Sequence, residues 1–147
     1  MNTEKSVLLV EDNPQDEMLT IRALRKAGLA NRIDVARDGQ QALDYLFQEG
    51  EFAQRPGPAL PTVVVLDIGL PRLSGLEVLA RLRADPRTAL LPVTMLTSSD
   101  EERDRLKSYE QGCNSFIRKP VDFGEFAEVV ARLGVYWLAT NEAPPSR

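Results

Sequence analysis

Short apolar runs alternate with segments of helical periodicity along this 147-residue chain. The runs are rich in β-branched and other apolar residues, as β-strands are. They span residues 6–10, 32–36, 62–66, 93–96 and 115–117. The helical segments span residues 14–28, 40–48, 74–84, 100–111 and 122 to about 139. Strand followed by helix, repeated five times, predicts an α/β fold with one parallel sheet between two layers of helices.

Local signals support this division. The run 62–66 is apolar at every position, which is typical of a central strand covered on both faces. Asn13 can cap the first helix, Pro14 suits its first turn and Gly28 can end it. The predicted apolar face of that helix carries Met18, Ile21, Leu24 and Ala27. Residues 50–61 contain three prolines and are predicted to form a loop.

Composition excludes several classes of protein. With 43% hydrophobic and 27% charged residues, the chain is neither disordered nor fibrous. No apolar run approaches the roughly 20 residues that cross a bilayer, and the N-terminus lacks a basic region and cleavage site of the secretory kind. A single cysteine, Cys113, cannot form an internal disulfide. We therefore expect a cytoplasmic protein without a membrane partner.

Charge and the absence of histidine narrow the chemistry further. The net charge is −4, and the basic residues are scattered among acidic ones, so we expect no nucleic-acid partner. The chain contains no histidine. Nucleophile relays and zinc sites that need histidine are excluded, as is an internal phosphohistidine. Any phosphoryl chemistry has to use carboxylates, hydroxyls, lysine and a metal ion.

Polar residues stand at the ends of four predicted strands. Glu11 and Asp12 end the first strand, Asp67 the third, Thr97 the fourth and Lys119 the fifth. In a parallel sheet these ends meet at one edge, where such folds bind ligands. Three crowded carboxylates repel one another and favour a cation such as Mg²⁺, which prefers oxygen ligands. A helix cap or loop residue is the simpler interpretation of Asp12 taken alone, but it does not explain the whole set.

Four segments in this order and spacing resemble the receiver domains of two-component response regulators. They read Val-Glu-Asp-Asn-Pro at 10–14, Leu-Asp-Ile-Gly-Leu-Pro-Arg-Leu-Ser-Gly at 66–75, Leu-Thr-Ser-Ser at 96–99 and Lys-Pro at 119–120. Each is weak alone, whereas together they are specific, and the resemblance covers residues 5–139. It implies a doubly wound, flavodoxin-like sheet with strand order 2-1-3-4-5.

The resemblance also implies roles at the strand ends. Asp67 would be the phosphoacceptor, and Mg²⁺, with Mn²⁺ or Ca²⁺ as substitutes, would bind Asp12, Asp67 and the backbone carbonyl of Gly69. Glu11 would bind the metal through a water molecule. Thr97 and Lys119 would contact the phosphoryl group.

Two further features belong to the resemblance. Thr97 and the aromatic Phe116 would form the conformational switch, and the peptide before Pro120 would be cis. The chain departs from the common pattern in having Glu11 instead of Asp and Phe116 instead of Tyr. The longer acidic arm and the missing hydroxyl put rates in doubt, not the reaction itself.

The function implied is that of a single-domain response regulator. Asp67 would accept a phosphoryl group from a sensor histidine kinase and release it by slow hydrolysis, so the protein would not be an enzyme toward other substrates. Residues 1–140 would form the receiver domain and residues 141–147 a disordered tail, with no output domain. The Glu-Asp pair, the 50–61 insertion and the long last helix resemble the regulators that partner bacterial phytochrome kinases.

Two helices bear on regulation and assembly. In helix 101–111 only Leu106 and Tyr109 look able to be buried, which predicts thin packing for a mobile element, although a plain surface helix explains the pattern as well. The last helix carries more apolar surface than one stripe needs, which predicts a homodimer. The predicted interface residues are Phe126, Val130, Leu133, Tyr136 and Trp137. The alternative is that residues 136–138 fold back into the chain's own core.

Three other functions agree with parts of this pattern but not with all of it. A haloacid-dehalogenase-type phosphatase also uses an Asp at a strand end, but it expects a second Asp two residues later, where this chain has Gly69. A degenerate receiver that only binds proteins is disfavoured by intact Asp67, Thr97 and Lys119. A flavodoxin-like cofactor binder shares the fold but would need a glycine-rich phosphate loop, which the chain lacks.

Overall fold

A computed structural model describes residues 5–57 and 59–145 of the chain. Its strands are β1 (Ser6–Val10), β2 (Arg32–Ala36), β3 (Val63–Leu66), β4 (Val93–Thr97) and β5 (Ser115–Arg118). All four pairings are parallel, and the order across the sheet is β2-β1-β3-β4-β5. The predicted α/β class, the doubly wound topology and the strand order are confirmed.

The five predicted helices are present. They are α1 (Pro14–Lys26), α2 (Gly39–Phe47), α3 (Gly75–Ala84), α4 (Glu102–Glu110) and α5 (Phe123–Val135). Asn13 caps α1 by accepting the backbone N–H groups of residues 15 and 16, and Ser74 caps α3 by accepting that of Glu77. Gly28, with a φ of 85°, follows the end of α1, as the sequence indicates.

The sheet divides the apolar core into two layers. Alternate residues of a strand point to opposite faces, so Val7 and Leu9 of β1 pack with α1 and α5, whereas Leu8 and Val10 pack with α2 and α3. β1, β3 and β4 are buried along their whole length. This burial explains why their sequences are apolar without a break.

The buried face of α1 differs from the predicted one. Met18 is 51% exposed, and the residues that α1 buries are Thr20, Ala23 and Leu24. The reason is the close approach of α5, since a Cβ at Gly134 would lie only 2.4 Å from Leu24 Cδ2. Contact with α5 therefore determines which face of α1 is buried. The spacing of apolar residues along α1 does not show where α5 lies, so it did not predict this face correctly.

The predicted homodimer interface on the last helix is wrong for most of its residues. Phe126, Val130, Leu133 and Trp137 are all buried in the chain's own core against α1 and the sheet. A turn of π-helix, Tyr136–Thr140, extends α5 and places both Trp137 and Leu138 inside. The alternative that this segment folds back into the core is the correct one for these two residues. Of the predicted interface, Tyr136 alone is exposed.

Helix α4 packs even more thinly than the sequence indicates. Its single buried residue is Ser108, and Leu106 and Tyr109 are both exposed. The expectation that these two would be buried is wrong. So few buried apolar side chains are typical of an element of low local stability.

The predicted loop 50–61 contains a short turn of 3-10 helix, Gly50–Phe52. Arg55 anchors it, because its guanidinium lies 4.0 Å from the centre of the Tyr45 ring and donates a hydrogen bond to the Tyr45 carbonyl. Pro58 lies outside the described residues, as do residues 1–4 and 146–147. Residues 141–145 have no regular secondary structure. Within the described part of the chain no helix is long and apolar enough to span a bilayer.

The phenol of Tyr45 yields a testable prediction. Burial raises the pKa of Tyr45, and its hydrogen bond to Asp34 Oδ2 (2.5 Å) raises it further, to about 12. Because the pKa of Tyr45 is higher in the folded state than in the unfolded state, the protonated phenol stabilises the fold. This stabilisation is complete below pH 10 and is lost as the pH rises through about 12. We expect the difference in 295-nm absorbance between wild type and Tyr45→Phe to rise near pH 12. At pH 7, Tyr45→Phe should lower the free energy of unfolding by about 1 kcal/mol in urea. A difference spectrum that rises near pH 10 would contradict this.

Candidate functional site

The carboxyl ends of β1, β3, β4 and β5 open into one cleft. Its volume is about 680 Å³, and it is lined mainly by acidic and hydroxyl side chains with one lysine. The predicted site residues that line it are Glu11, Asp12, Asp67, Gly69, Thr97 and Lys119. The structure therefore brings together the polar residues that the sequence places at four separate strand ends.

Lys119 lies at the centre of this cleft and is 7% exposed at its side chain. Its ammonium donates to Glu11 Oε1 at 2.5 Å, to Asp16 Oδ2 at 2.9 Å and to Asp67 Oδ2 at 2.9 Å. An ammonium group has three N–H donors, and here all three are directed at carboxylates. The backbone N–H of Lys119 donates to the Thr97 carbonyl at 2.7 Å, which fixes the lysine next to the end of β4.

Burial and charge act in opposite directions on these groups. Burial alone would lower the pKa of Lys119, but its hydrogen bonds to Glu11 and Asp67 raise that pKa by more, so the lysine stays protonated. Burial raises the pKa of Glu11, and the hydrogen bond and charge of Lys119 only partly offset this. By its contacts, the single ammonium of Lys119 faces more carboxylates than one positive charge can neutralise.

Glu11, Asp12 and Asp67 have the arrangement expected of a divalent-cation site. One carboxylate oxygen from each lies within 4.8 Å of the others. Hard cations such as Mg²⁺ prefer oxygen ligands of this kind and keep several waters of their own. Asp12 is exposed, whereas Glu11 and Asp67 are buried, so the cluster is open to solvent on one side. The residues present fit a small hydrated divalent ion.

Close backbone packing fixes the position of Asp67. A Cβ at Gly75 would lie 2.0 Å from the Asp67 carbonyl oxygen, so α3 can begin this close to β3 only with glycine there. On the other side, the Gly69 N–H donates to Asp67 Oδ1 at 3.3 Å. The Asp67 carboxylate, 8% exposed, is thus held by Lys119 through one oxygen and by the following loop through the other.

Thr97 and Phe116, the predicted switch residues, lie on adjacent strands. Thr97 is buried, and its hydroxyl accepts the Ser99 N–H at 3.3 Å. Phe116 is half-buried against the core and lines a small pocket beside Arg105 and Arg118, outside the acidic cleft. Next to it, Ser99 donates to Asp104 in α4 at 2.7 Å. The loop that follows Thr97 is therefore tied directly to the thinly packed helix.

The predicted cis peptide before Pro120 is wrong for this structure. No peptide bond between described residues is cis. The trans form of a bond to proline is favoured by about 0.5–1 kcal/mol. With this peptide bond in the trans form, Lys119 makes its hydrogen bonds to Glu11 and Asp67.

Asp16 is the site residue that the sequence did not indicate. It lies in the first turn of α1 and binds Lys119, although it does not stand at a strand end. Asp12 precedes the Asn13 cap and so shares no helix face with Asp16, and the sequence shows only an acidic residue in the first turn of α1. Only the folded position of Lys119 distinguishes it from an ordinary acidic residue near a helix N-terminus.

The fold and cleft together define a flavodoxin-like α/β protein with an acidic site at the carboxyl edge of its sheet. The response regulator receiver domain family matches residues 7–131 of the chain. This is well over half of the chain, and the chain therefore belongs to that family. It is a receiver domain of the kind that serves two-component signalling.

Relatives cover nearly the whole chain. Response regulator Rcp1 of Synechocystis sp. is 34% identical over 97% of this chain and 95% of its own length, and its Mn²⁺-bound crystal structure superposes with a TM-score of 0.89. The phosphorylated cyanobacterial phytochrome response regulator RcpA is 35% identical, with a TM-score of 0.89 over 96% of this chain and 99% of its own. The bacteriophytochrome response regulator AtBRR is 50% identical, with a TM-score of 0.74 over 94% of this chain and 98% of its own.

Removing the charge of Asp12 should have opposite effects on the stability of the protein and on its binding of a cation. In Asp12→Asn without divalent ions, we expect the free energy of unfolding to rise by about 1 kcal/mol at low salt, because one of three crowded carboxylates is neutralised. The melting temperature would then rise by about 2–4 °C. Mg²⁺ should stabilise the wild type by mass action but not this variant. The measurement is thermal unfolding with EDTA or Mg²⁺.

The control for this experiment is Glu142→Gln, which removes an exposed charge outside the cleft and should behave as wild type. An Asp12→Asn protein that is destabilised in EDTA and still stabilised by Mg²⁺ would show that the three carboxylates do not share a cation.

Proposed function

We propose that the chain is a phosphorylation-dependent response regulator in which Asp67 accepts the phosphoryl group. The observation that carries this proposal is the placement of the Asp67 carboxylate, buried between the Lys119 ammonium at 2.9 Å and two further carboxylates that fit a divalent cation. A buried carboxylate paired with a lysine could be merely structural. Here one ammonium is shared by three carboxylates, and Asp12 adds a fourth acidic group to the cluster, which favours a site that binds a cation and gains further charge.

Each residue has a role that its position supports. The Asp67 oxygen forms a bond to phosphorus as the P–N bond of a kinase phosphohistidine breaks, and the imidazole is the leaving group. Asp12, Asp67 and the Gly69 carbonyl would hold Mg²⁺, and Glu11 would hold it through water. The ion, when bound, offsets charge on the phosphoryl oxygens. Lys119 pairs with one of those oxygens, which requires it to release one of its three present carboxylate partners.

The signalling step uses the loop after β4. Thr97 turns its hydroxyl from the Ser99 N–H toward the phosphoryl group, and Phe116 follows into the space that this movement leaves. Because Ser99 binds Asp104 in α4 at 2.7 Å, the movement reaches a helix with one buried residue. A shift between two arrangements that differ by only a few kcal/mol is sufficient for such a switch.

Asp67 as phosphoacceptor is tested with a small phosphodonor. Incubation with acetyl phosphate and Mg²⁺ should add one phosphoryl group to the wild type, stable in acid and labile to hydroxylamine, and none to Asp67→Asn. Intact-protein mass spectrometry measures the addition. Asp122→Asn, which keeps the cap of α5 and lies outside the cleft, is the matched control and should be phosphorylated normally. Phosphorylation of Asp67→Asn at another carboxylate would refute the assignment.

The natural phosphodonor is proposed to be a sensor histidine kinase of the bacterial phytochrome class. RcpA and AtBRR, by their names, serve phytochromes, and the likeness to both extends over nearly the whole chain. In the same assay, a phosphorylated phytochrome kinase should transfer its group at least about tenfold faster than an unrelated kinase, a difference of about 1.4 kcal/mol. Equal rates would leave the phosphoacceptor proposal intact and refute the kinase class.

This partner and the single buried cysteine, Cys113, support a cytoplasmic location.

The receiver domain is proposed to span residues 1–140, with residues 141–147 as a tail, and to form a homodimer through the outer face of α5. Because the other predicted interface residues are buried, the exposed apolar part of that face consists of Val135 and Tyr136, which are 42% and 49% exposed, beside Ala131. Aromatic residues are enriched at interfaces, but this patch is small, so a weak dimer is expected.

Light scattering over a range of concentrations tests the dimer. The wild type should shift toward dimer as its concentration rises, and Tyr136→Asp should stay monomeric because a charge would be desolvated in the interface. Tyr109→Asp changes a tyrosine of similar exposure, 52%, on α4 and serves as the control. A wild type that is monomeric at every concentration, with and without phosphorylation, would refute the homodimer.

A further inference from the structure

Arg72 has an unusual backbone conformation in the loop between β3 and α3. Its φ is 69°, in the left-handed region that residues other than glycine rarely adopt. The Leu73 N–H donates to the Pro71 carbonyl at 2.8 Å, so Arg72 is the central residue of a three-residue turn. A turn of this kind with a positive central φ is rare and strained. Such strain persists only where surrounding contacts enforce it.

Two contacts with the loop after β2 enforce this turn. Arg72 Nη1 lies 3.4 Å from Asp38 Oδ2, and the other oxygen of Asp38 accepts the Gln41 N–H at 2.8 Å, where it caps α2. Beside this ion pair, a Cβ at Gly39 would lie 2.2 Å from the Leu73 carbonyl oxygen. The two loops therefore touch through backbone as well as through charge, and Asp38 ties the turn to the start of a helix.

The same loop carries groups of the acidic cleft. Gly69 lies three residues before Arg72, and its N–H reaches Asp67 Oδ1. The Leu70 N–H donates to the Ile68 carbonyl at 2.9 Å, which makes Gly69 the centre of a second tight turn. Pro71, whose ring fixes its own φ, is the first residue of the Arg72 turn and directly follows the Gly69 turn. A change in the backbone at Arg72 is thus transmitted to the Gly69 peptide with little flexible chain to absorb it.

We propose that Arg72 is a positioning residue for cation binding. Its ion pair with Asp38 holds the left-handed turn, and the turn holds the Gly69 carbonyl and the Asp67 carboxylate in the orientation that one divalent cation requires. Arg72 itself touches neither the ion nor the phosphoryl group. This inference rests on the proposed function, because it deepens the role given there to Gly69.

The test compares Arg72→Gln, Asp38→Asn and the double variant by calorimetric titration with Mg²⁺ alone. Asparagine at 38 retains the oxygen that caps α2 and loses the charge. Each single variant should bind Mg²⁺ about threefold more weakly, the effect of an exposed ion pair of modest strength. The double variant should be no weaker than either single one, because both remove the same pair.

Further variants distinguish positioning from general destabilisation. Arg72→Lys should recover most of the affinity, and Arg72→Gly should also bind Mg²⁺ more tightly than Arg72→Gln, because glycine adopts the left-handed conformation without the ion pair. Arg87→Gln breaks an ion pair of comparable exposure on the loop between α3 and β4 and is the matched control. Phosphorylation by acetyl phosphate at saturating Mg²⁺ should stay near the wild-type rate and should fall at limiting Mg²⁺.

The outcomes separate this inference from the proposed function. Wild-type Mg²⁺ affinity in Arg72→Gln, or additive losses in the double variant, would overturn the positioning role while leaving Asp67 as phosphoacceptor. A wild-type protein that binds no Mg²⁺ and takes up no phosphoryl group would overturn both. A third outcome is that the wild type resists phosphorylation but the variants still bind Mg²⁺ more weakly than it does. This would support the positioning role of Arg72 and refute only the proposed function.

Discussion

The buried ammonium of Lys119 is the interaction on which the site depends. A cation taken out of water needs compensation from its surroundings. Lys119 obtains it from carboxylates just past the ends of β1 and β3 and in the first turn of α1. Those carboxylates in turn need the cation, since they lie too close together to tolerate one another alone. One side chain from the last strand therefore fixes the relative positions of three other elements. Removing it would leave several buried charges without a partner, a change that is strongly destabilising in proteins.

The loops around Lys119 are held by different kinds of contact. Glycines permit backbone contacts at Gly75 against Asp67 and at Gly39 against Leu73, so the loops after β2 and β3 have little freedom. The loop after β4 is held differently, by hydroxyl contacts between Thr97, Ser99 and the helix α4. Hydrogen bonds of this kind are exchanged more easily than close backbone packing. The geometry thus places a closely packed loop on one side of Asp67 and a loop held mainly by hydroxyl hydrogen bonds on the other.

Much of the fold and most of the site were predictable from the sequence. Period-2 and continuous apolar runs located the five strands, and β1 and β2 have the predicted bounds. Parallel topology then places every strand end at one edge, so residues far apart in sequence, such as Asp12 and Lys119, had to meet there. Caps were equally readable, because Asn13 and Ser74 act through a local hydrogen bond that needs no tertiary partner. The residue types at the strand ends predicted a cation site, whereas the role proposed for Asp67 rests on the resemblance to receiver domains.

What the sequence by itself determined is therefore the order of elements, the edge at which polar groups gather and the class of protein. Tertiary structure alone decided which helix faces are buried, because that depends on the approach of α5 to α1 through Gly134 and not on spacing within either helix. It decided that Phe126, Val130, Leu133 and Trp137 pack inside. It also decided that Asp16 and Asp38 have partners on other elements, Lys119 and Arg72. Hydrophobic pattern and capping are properties of neighbouring residues, whereas a shared face, a close helix crossing and an ion pair between loops exist only once distant segments are in place.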